Sequence, residues 1–395
     1  MKRKAENPSG LFADLANELA DIDSQGLLRQ RRILESAQGA HITVDGCHYL
    51  AFCSNDYLGL ASHPALIDAA CRGAGQYGVG AGASHLIVGH SAAHHKLEAA
   101  LAEFLDLPQA LLFSTGYMAN LGILTALLGR NDVVLADKLN HASLNDAALL
   151  ARAQFLRYSH LDMAHLEQTL AGAKGRRKLV VTDAVFSMDG DIAPLPQLLA
   201  LCERYDAYLM LDDAHGFGVL GEHGRGILEH FQLQSPRIIY MATLGKAAGV
   251  FGAFVAGEPA LIQTLIQRAR TYIYTTAFPP LLATALLASL HLFREEGWRR
   301  GHLRALIAYF KAHLKTERWQ LLPSDTPIQA LIIGGNQDAV AAAEALRLQG
   351  ILVPAIRPPT VPKGQARLRI SLSAAHSKDD VRRLCEVLNE NEKNA

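Results

Sequence analysis

Tyr208-Leu209-Met210-Leu211-Asp212-Asp213-Ala214-His215, and then Ile238-Ile239-Tyr240-Met241 running on to Thr243-Leu244-Gly245-Lys246, decide how this chain reads. Each stretch opens as an unbroken apolar run and closes on residues that are costly to bury. Continuous rather than alternating apolarity marks strands covered on both faces, as in a parallel sheet with helices on either side. Moving outward, Leu179-Val180-Val181 closes on Asp183 in the same way. Val133-Val134-Leu135 and Ala110-Leu111-Leu112-Phe113 read as further strands. Between them, Leu97, Ala100, Leu101, Phe104 and Leu105 share one helical face. Ligands of open parallel sheets bind beyond the carboxyl ends of the strands. Three strand ends therefore bring an acid, an acid with a histidine, and a lysine to one rim.

Farther on, Gln329-Ala330-Leu331-Ile332-Ile333 and Arg367-Leu368-Arg369-Ile370 look like strands flanking helical stretches. The expected architecture is α/β. It has a polar N-terminal arm over residues 1–50, with arginines at Arg29, Arg31 and Arg32. A large, mainly parallel domain follows over 51–290, and a smaller α+β C-terminal domain over 291–395.

Bulk properties fit that scheme. The 395 residues leave room for a large core. Half of them are apolar and the formal net charge is zero, so no overall field favours nucleic acid. Five cysteines without a C-x-x-C pair point to reduced thiols and no zinc motif. Met1–Pro8 lacks the apolar stretch of a leader, and no run is long enough to span a bilayer, so a cytoplasmic protein is expected.

Lys246 sits in the nearly uncharged Leu244-Gly245-Lys246-Ala247-Ala248-Gly249-Val250-Phe251-Gly252. Desolvation there would lower its pKa and free the amine for a Schiff base, although an exposed loop lysine is the simpler alternative. The nearby glycines would let backbone approach a planar ligand. The acids shift the balance: Asp212 is placed to hold a proton on a pyridine nitrogen, the condition for an electron sink. His215 could reach a phenolic oxygen. Metal ligation by Asp212, Asp213 and His215 ranks second, because too few ligands accompany them.

Ser114-Thr115-Gly116-Tyr117-Met118-Ala119-Asn120 follows a strand and opens a helix, so Gly116 and Tyr117 could offer N–H groups to a phosphate, with Thr243 adding a hydroxyl. Gly78–Ser84 fits no nucleotide fingerprint and reads as a turn. Of the 17 histidines, His141 could stack on a ring, whereas His41, His94 and His95 have no evident chemical task.

Asn55-Asp56-Tyr57-Leu58-Gly59-Leu60, Leu139-Asn140-His141-Ala142-Ser143, Val185-Phe186-Ser187-Met188-Asp189-Gly190, Asp212-Asp213-Ala214-His215-Gly216 and Thr243-Leu244-Gly245-Lys246 occur in order. In these motifs the chain closely resembles the α-oxoamine synthase family of fold-type-I enzymes dependent on pyridoxal 5'-phosphate (PLP). The likeness runs from about Leu28 to His376. It implies a PLP-dependent transferase fold of type I and a decarboxylative condensation of an amino acid with an acyl thioester.

Carried over, Lys246 would bear the cofactor, Asp212 its ring nitrogen, His215 and Ser187 the phenolic oxygen, and His141 the ring face. Gly116, Tyr117 and Thr243 would hold the phosphate, with Thr276 reaching in from a partner subunit of a homodimer, and Asn55 would lie close by. Arg369 would bind the amino-acid carboxylate. Arg29 and Thr360 would line the acyl path, with Arg357 a further candidate for the acyl chain. Asp183 stands where some members carry glutamate.

Arg357-Pro358-Pro359-Thr360-Val361-Pro362 and Ser373-Ala374-Ala375-His376 favour a member using L-alanine and a pimeloyl thioester, on coenzyme A or on an acyl carrier protein. Rivals are a glycine-using member, an aminotransferase, a non-catalytic subunit and a metal-dependent enzyme.

Overall fold

The computed structural model describes residues 10–25 and 27–394. The Met1–Pro8 segment, read above for a leader, lies outside the described residues.

Fourteen strands are described: β1 (His41–Val44), β2 (Cys47–Ala51), β3 (Gln109–Phe113), β4 (Val133–Asp137), β5 (Gln154–Tyr158), β6 (Lys178–Asp183) and β7 (Tyr208–Asp212), then β8 (Ile238–Thr243), β9 (Ala253–Gly257), β10 (Gln320–Leu321), β11 (Ile328–Gly334), β12 (Ile351–Leu352), β13 (Ala355–Ile356) and β14 (Ala366–Ser371). Seven form the central sheet in the order β3-β9-β8-β7-β6-β4-β5. Only β9 runs against its neighbours, pairing antiparallel with both β3 and β8. The fold is thus an α/β, mainly parallel arrangement, as the apolar runs imply. Every residue of β4 is buried, and β7 exposes only Tyr208, which is what helix cover on two faces requires.

Strand order fixes the rim. Parallel pairing sets Asp183 at the end of β6 directly beside Asp212 at the end of β7, and Asp212 beside Met241 of β8. β8 then runs through Thr243 into the turn that carries Lys246. The helix Gly116–Leu127 starts three residues past the end of β3. Because these strands run parallel, their carboxyl ends share one edge of the sheet.

Two smaller sheets lie outside it. One is antiparallel, in the order β10-β11-β14-β13, and its strand β14 carries Arg367 and Arg369. The other joins the hairpin β1-β2 to β12 of the C-terminal region. The segment read as a polar arm therefore carries a helix, Leu11–Ser24, and then two strands tied to the far end of the chain. The boundary placed near residue 290 falls inside the helix Pro280–Glu295.

Candidate active site

Lys246 is the centre. Its Nζ lies 2.9 Å from His215 Nε2. Burial lowers its pKa to about 8, outweighing the carboxylates of Asp212 and Asp183, which push the other way. The desolvated amine foreseen from the uncharged neighbourhood is therefore present, and the exposed-loop alternative does not hold. At Gly249, one of the nearby glycines, the fold makes a different use of the missing side chain. Gly249 has φ of +71°, and a Cβ there would stand 2.8 Å from the backbone of Leu60 and Ala61. It permits close packing of two chain segments rather than approach of a ligand.

His215 is buried, and the charges of Lys246 and Arg369 add to desolvation in holding its pKa well below the usual value. A neutral imidazole has one donor and one acceptor nitrogen. Tyr57 O–H donates to Asn55 Oδ1 over 3.1 Å, so at 2.7 Å His215 Nδ1–H donates to Tyr57 Oη. Its Nε2 lone pair is left for Lys246. Arg369 Nη2 donates to Asn55 Oδ1 over 3.3 Å, while its Nε donates to the Ser187 carbonyl over 2.5 Å and its Nη1 to Ser371 Oγ over 2.8 Å. A line of contacts thus connects Lys246, His215, Tyr57, Asn55 and Arg369 across four separate parts of the chain.

Asp212 is held at both oxygens, accepting from Ala214 N over 3.1 Å and from Asn120 Nδ2 over 2.8 Å. The same Asn120 Nδ2 reaches Ser143 Oγ over 2.8 Å. Asp183 accepts from the backbone N–H of His141 over 2.6 Å. Burial, and after it the Asp212 charge, raise the Asp183 pKa well above the carboxylate range. Two neighbouring carboxyls in a dry site do not both ionise easily. His141 caps the helix Ala142–Leu150 and leaves its ring at the surface, with Nδ1 2.7 Å from Ser143 Oγ.

Thr115 caps the helix Gly116–Leu127 by accepting from Met118 N over 3.1 Å, which leaves Gly116 and Tyr117 as the leading N–H groups of the helix. Thr243 Oγ1 is buried without a hydrogen-bond partner among the described residues. A Cβ on Gly116 would come within 2.6 Å of Thr243 Cγ2, so the backbone reaches the threonine only because the residue is glycine. An orphaned hydroxyl beside an N-terminal helix turn suits a phosphate. A desolvated amine and a carboxyl held by two hydrogen bonds at adjacent strand ends suit a pyridine aldehyde. The residues present fit PLP.

A cleft of about 540 Å³ opens at Lys246, lined by Asn55, Asp56, Gly245 and Val250. It shares Arg32, Cys53 and Leu352 with a second cleft of about 550 Å³ that collects Arg29, Arg357 and Thr360. The three residues read as acyl-path candidates thus meet in one place. Thr276 is exposed and lies apart from the Lys246 cleft. A further cleft of about 810 Å³ is elsewhere: Leu127, Arg177, Tyr208 and Ile239 line it, away from Lys246 and its acids.

Sequence reasoning gave no role to Asn120, Tyr57 or Ser371. The contacts of Asn120 with Asp212 and of Tyr57 with His215 are tertiary, whereas Ser371 meets Arg369 two residues away on β14. The one available signal was Asn120, a lone amide inside an apolar helix.

Residues 48–388 match the family described as aminotransferase class I and II. The chain is 65% identical over 95% of its length to an 8-amino-7-oxononanoate synthase of Nitrosospira multiformis, of which it covers 95%. Among solved structures, a serine palmitoyltransferase of S. paucimobilis with a bound PLP–myriocin aldimine superposes with a TM-score of 0.89 at 27% identity, covering 97% of this chain and 98% of that one. An 8-amino-7-oxononanoate synthase of Francisella tularensis gives 0.75 at 32% identity, covering 88% and 98%.

Proposed function

From the premise that this chain belongs to the 8-amino-7-oxononanoate synthase family, within the class I and II aminotransferases, we propose how its residues join L-alanine to a pimeloyl thioester, with loss of CO2 and release of the thiol carrier. The observation that carries the proposal is the buried Lys246 amine, 2.9 Å from a neutral His215 and next to the Asp183–Asp212 pair.

PLP, when bound, supplies an electron sink that stabilises negative charge at the amino-acid Cα. Lys246 would hold it covalently, Asp212 would pair with its ring nitrogen, Gly116, Tyr117 and Thr243 would receive its phosphate, and Ser187, His215 and His141 would contact its ring. Once displaced by the substrate amine, Lys246 Nζ takes the proton from Cα. An amine with a pKa near 8 is close to the working pH, which favours general-base transfer. His215 Nε2 accepts a hydrogen bond from that Nζ and keeps its lone pair aimed.

Arg369 orients the alanine carboxylate, since its planar fork can hold two oxygens. Tyr57 and Asn55 fix the guanidinium beneath it. The acyl chain lies along the paired clefts towards Arg29, Thr360 and Arg357. Thr276 acts from the partner subunit of a homodimer. The five free cysteines agree with a cytoplasmic setting, and among the described residues no helix is long and apolar enough to cross a membrane.

The test is a titration of the holoenzyme with L-alanine and then pimeloyl thioester, following absorbance and CO2. Condensation requires both substrates, and glycine is a poor replacement for alanine. In Arg369→Ala the KM for alanine rises about a hundredfold, the loss of roughly 3 kcal/mol from an unpaired charge contact. Conversion of the cofactor by an amino acid alone would identify an aminotransferase instead.

A further inference from the structure

The turn His85–Gly89, the start of the helix Ala92–Leu105 and His90 between them gather four histidines that the proposed reaction does not use. His85, His90 and His94 each present a ring nitrogen within 4.8 Å of the others. His85 Nδ1 and His90 Nδ1 are 3.0 Å apart, so one proton is shared between two rings. Tetrahedral metal ligands with bonds of about 2.0–2.1 Å stand roughly 3.3 Å from one another, close to this spacing.

The outward nitrogen of His94 is arranged to match, and that of His90 points towards a carboxylate. His94 Nε2 meets the Phe278 carbonyl at 2.9 Å, and His90 Nε2 faces Glu98 Oε2 at 3.8 Å. Histidines that bind metals donate the other ring N–H to a carbonyl or carboxylate, which fixes tautomer and ring direction. His94 therefore offers Nδ1, which now accepts from Ser91 N over 3.0 Å. His85 is clamped in place by Tyr272, whose ring stacks on it at 5.0 Å.

We propose that His85, His90 and His94 form a binding site for a divalent transition metal of the zinc class, distinct from the Lys246 centre. The three Nδ1 atoms coordinate the ion, and a water completes the set. The proton shared by His85 and His90 leaves to solvent. The Ser91 N–H contact to His94 is given up, which lowers the affinity. Coordination ties the turn and the helix to the segment carrying Tyr272 and Phe278, where Ala277 N already donates to Ala83 O over 3.0 Å. The site stands whether or not the acyl reaction is as proposed.

The probes are Co2+ and then Zn2+, added to tag-free holoenzyme after chelator treatment. One Co2+ should bind per chain with visible ligand-field bands, be displaced by Zn2+, and raise the melting temperature. His90→Ala, at the half-buried member, should abolish binding while leaving the PLP absorbance and the metal-free melting temperature unchanged. His95→Ala should bind as the native chain does. Absence of stoichiometric binding overturns the site, as does binding that survives His90→Ala. Loss in His95→Ala assigns the ion instead to the more exposed group His90, His95 and Glu98 and equally overturns the proposal.

Discussion

Asp183 and Asp212 lie side by side on adjacent strand ends, and their surroundings give them opposite tasks. Asp212 receives two hydrogen bonds and, in the proposed reaction, would pair with the pyridine nitrogen. A charge pair at about 4 Å contributes roughly 4 kcal/mol at an effective dielectric near 20. Asp212→Asn should therefore lower kcat by about a thousandfold. Asp183 is pushed towards its neutral form and serves one backbone N–H. Asp183→Asn keeps an acceptor there and should cost less than tenfold, whereas Asp183→Leu should disturb His141 and cost far more. Steady-state rates of the three variants check this. The positions of both acids could be read from the sequence, because each closes an apolar run. Their division of labour could not, since it depends on Asn120, which is 92 residues from Asp212 along the chain.

Strand-end loops, rather than the strands, hold the site in register. His160, just past β5, accepts no catalytic task yet bridges Asp137 at 3.0 Å and Asp191 at 2.7 Å, tying the loop of His141 to the loop of Ser187. The two carboxylates together outweigh desolvation and raise its pKa to about 9. Because the folded value lies above the unfolded one, the stabilisation is complete below about pH 6.5 and is lost as pH rises through about 9. His160→Ala should lower the melting temperature by about 2–4 °C near pH 6.5, on the order of 2 kcal/mol, and the gap should close above pH 9. Calorimetry across that range measures it. Such struts are poorly visible in sequence. The strand β5 has intermediate and exposed positions, Arg157 among them, and so lacks the apolar run that announces β4 or β7. The antiparallel β9, Ala253-Phe254-Val255-Ala256-Gly257, is short and rich in small residues, and it follows the cofactor turn too closely to stand out. By contrast, β3, β4, β6, β7 and β8 are buried on both faces and read directly.

At the scale of the molecule, the turn that follows the glycine run exposes Leu86, Ile87 and Val88, with Val79 nearby in sequence. Adjacent exposed apolar side chains of this kind mark an interaction surface. The proposed homodimer, if joined there, would cover them and bring Thr276 to a neighbouring site. Ile87→Asp should shift the protein towards monomer in light scattering and weaken PLP retention. A dimer that persists with full cofactor removes this surface from the interface. The N-terminal segment shows how far composition misleads at this scale. It is polar enough to read as an arm, yet β1 and β2 join β12 some 300 residues later, a pairing that local pattern does not encode. All of these arrangements serve one buried amine. The most direct measurement is borohydride reduction of the PLP-loaded protein, followed by peptide mapping with mass spectrometry. A single pyridoxyl label on Lys246 is the expected result. A label on any other lysine, or a protein that takes up no PLP, would contradict the account.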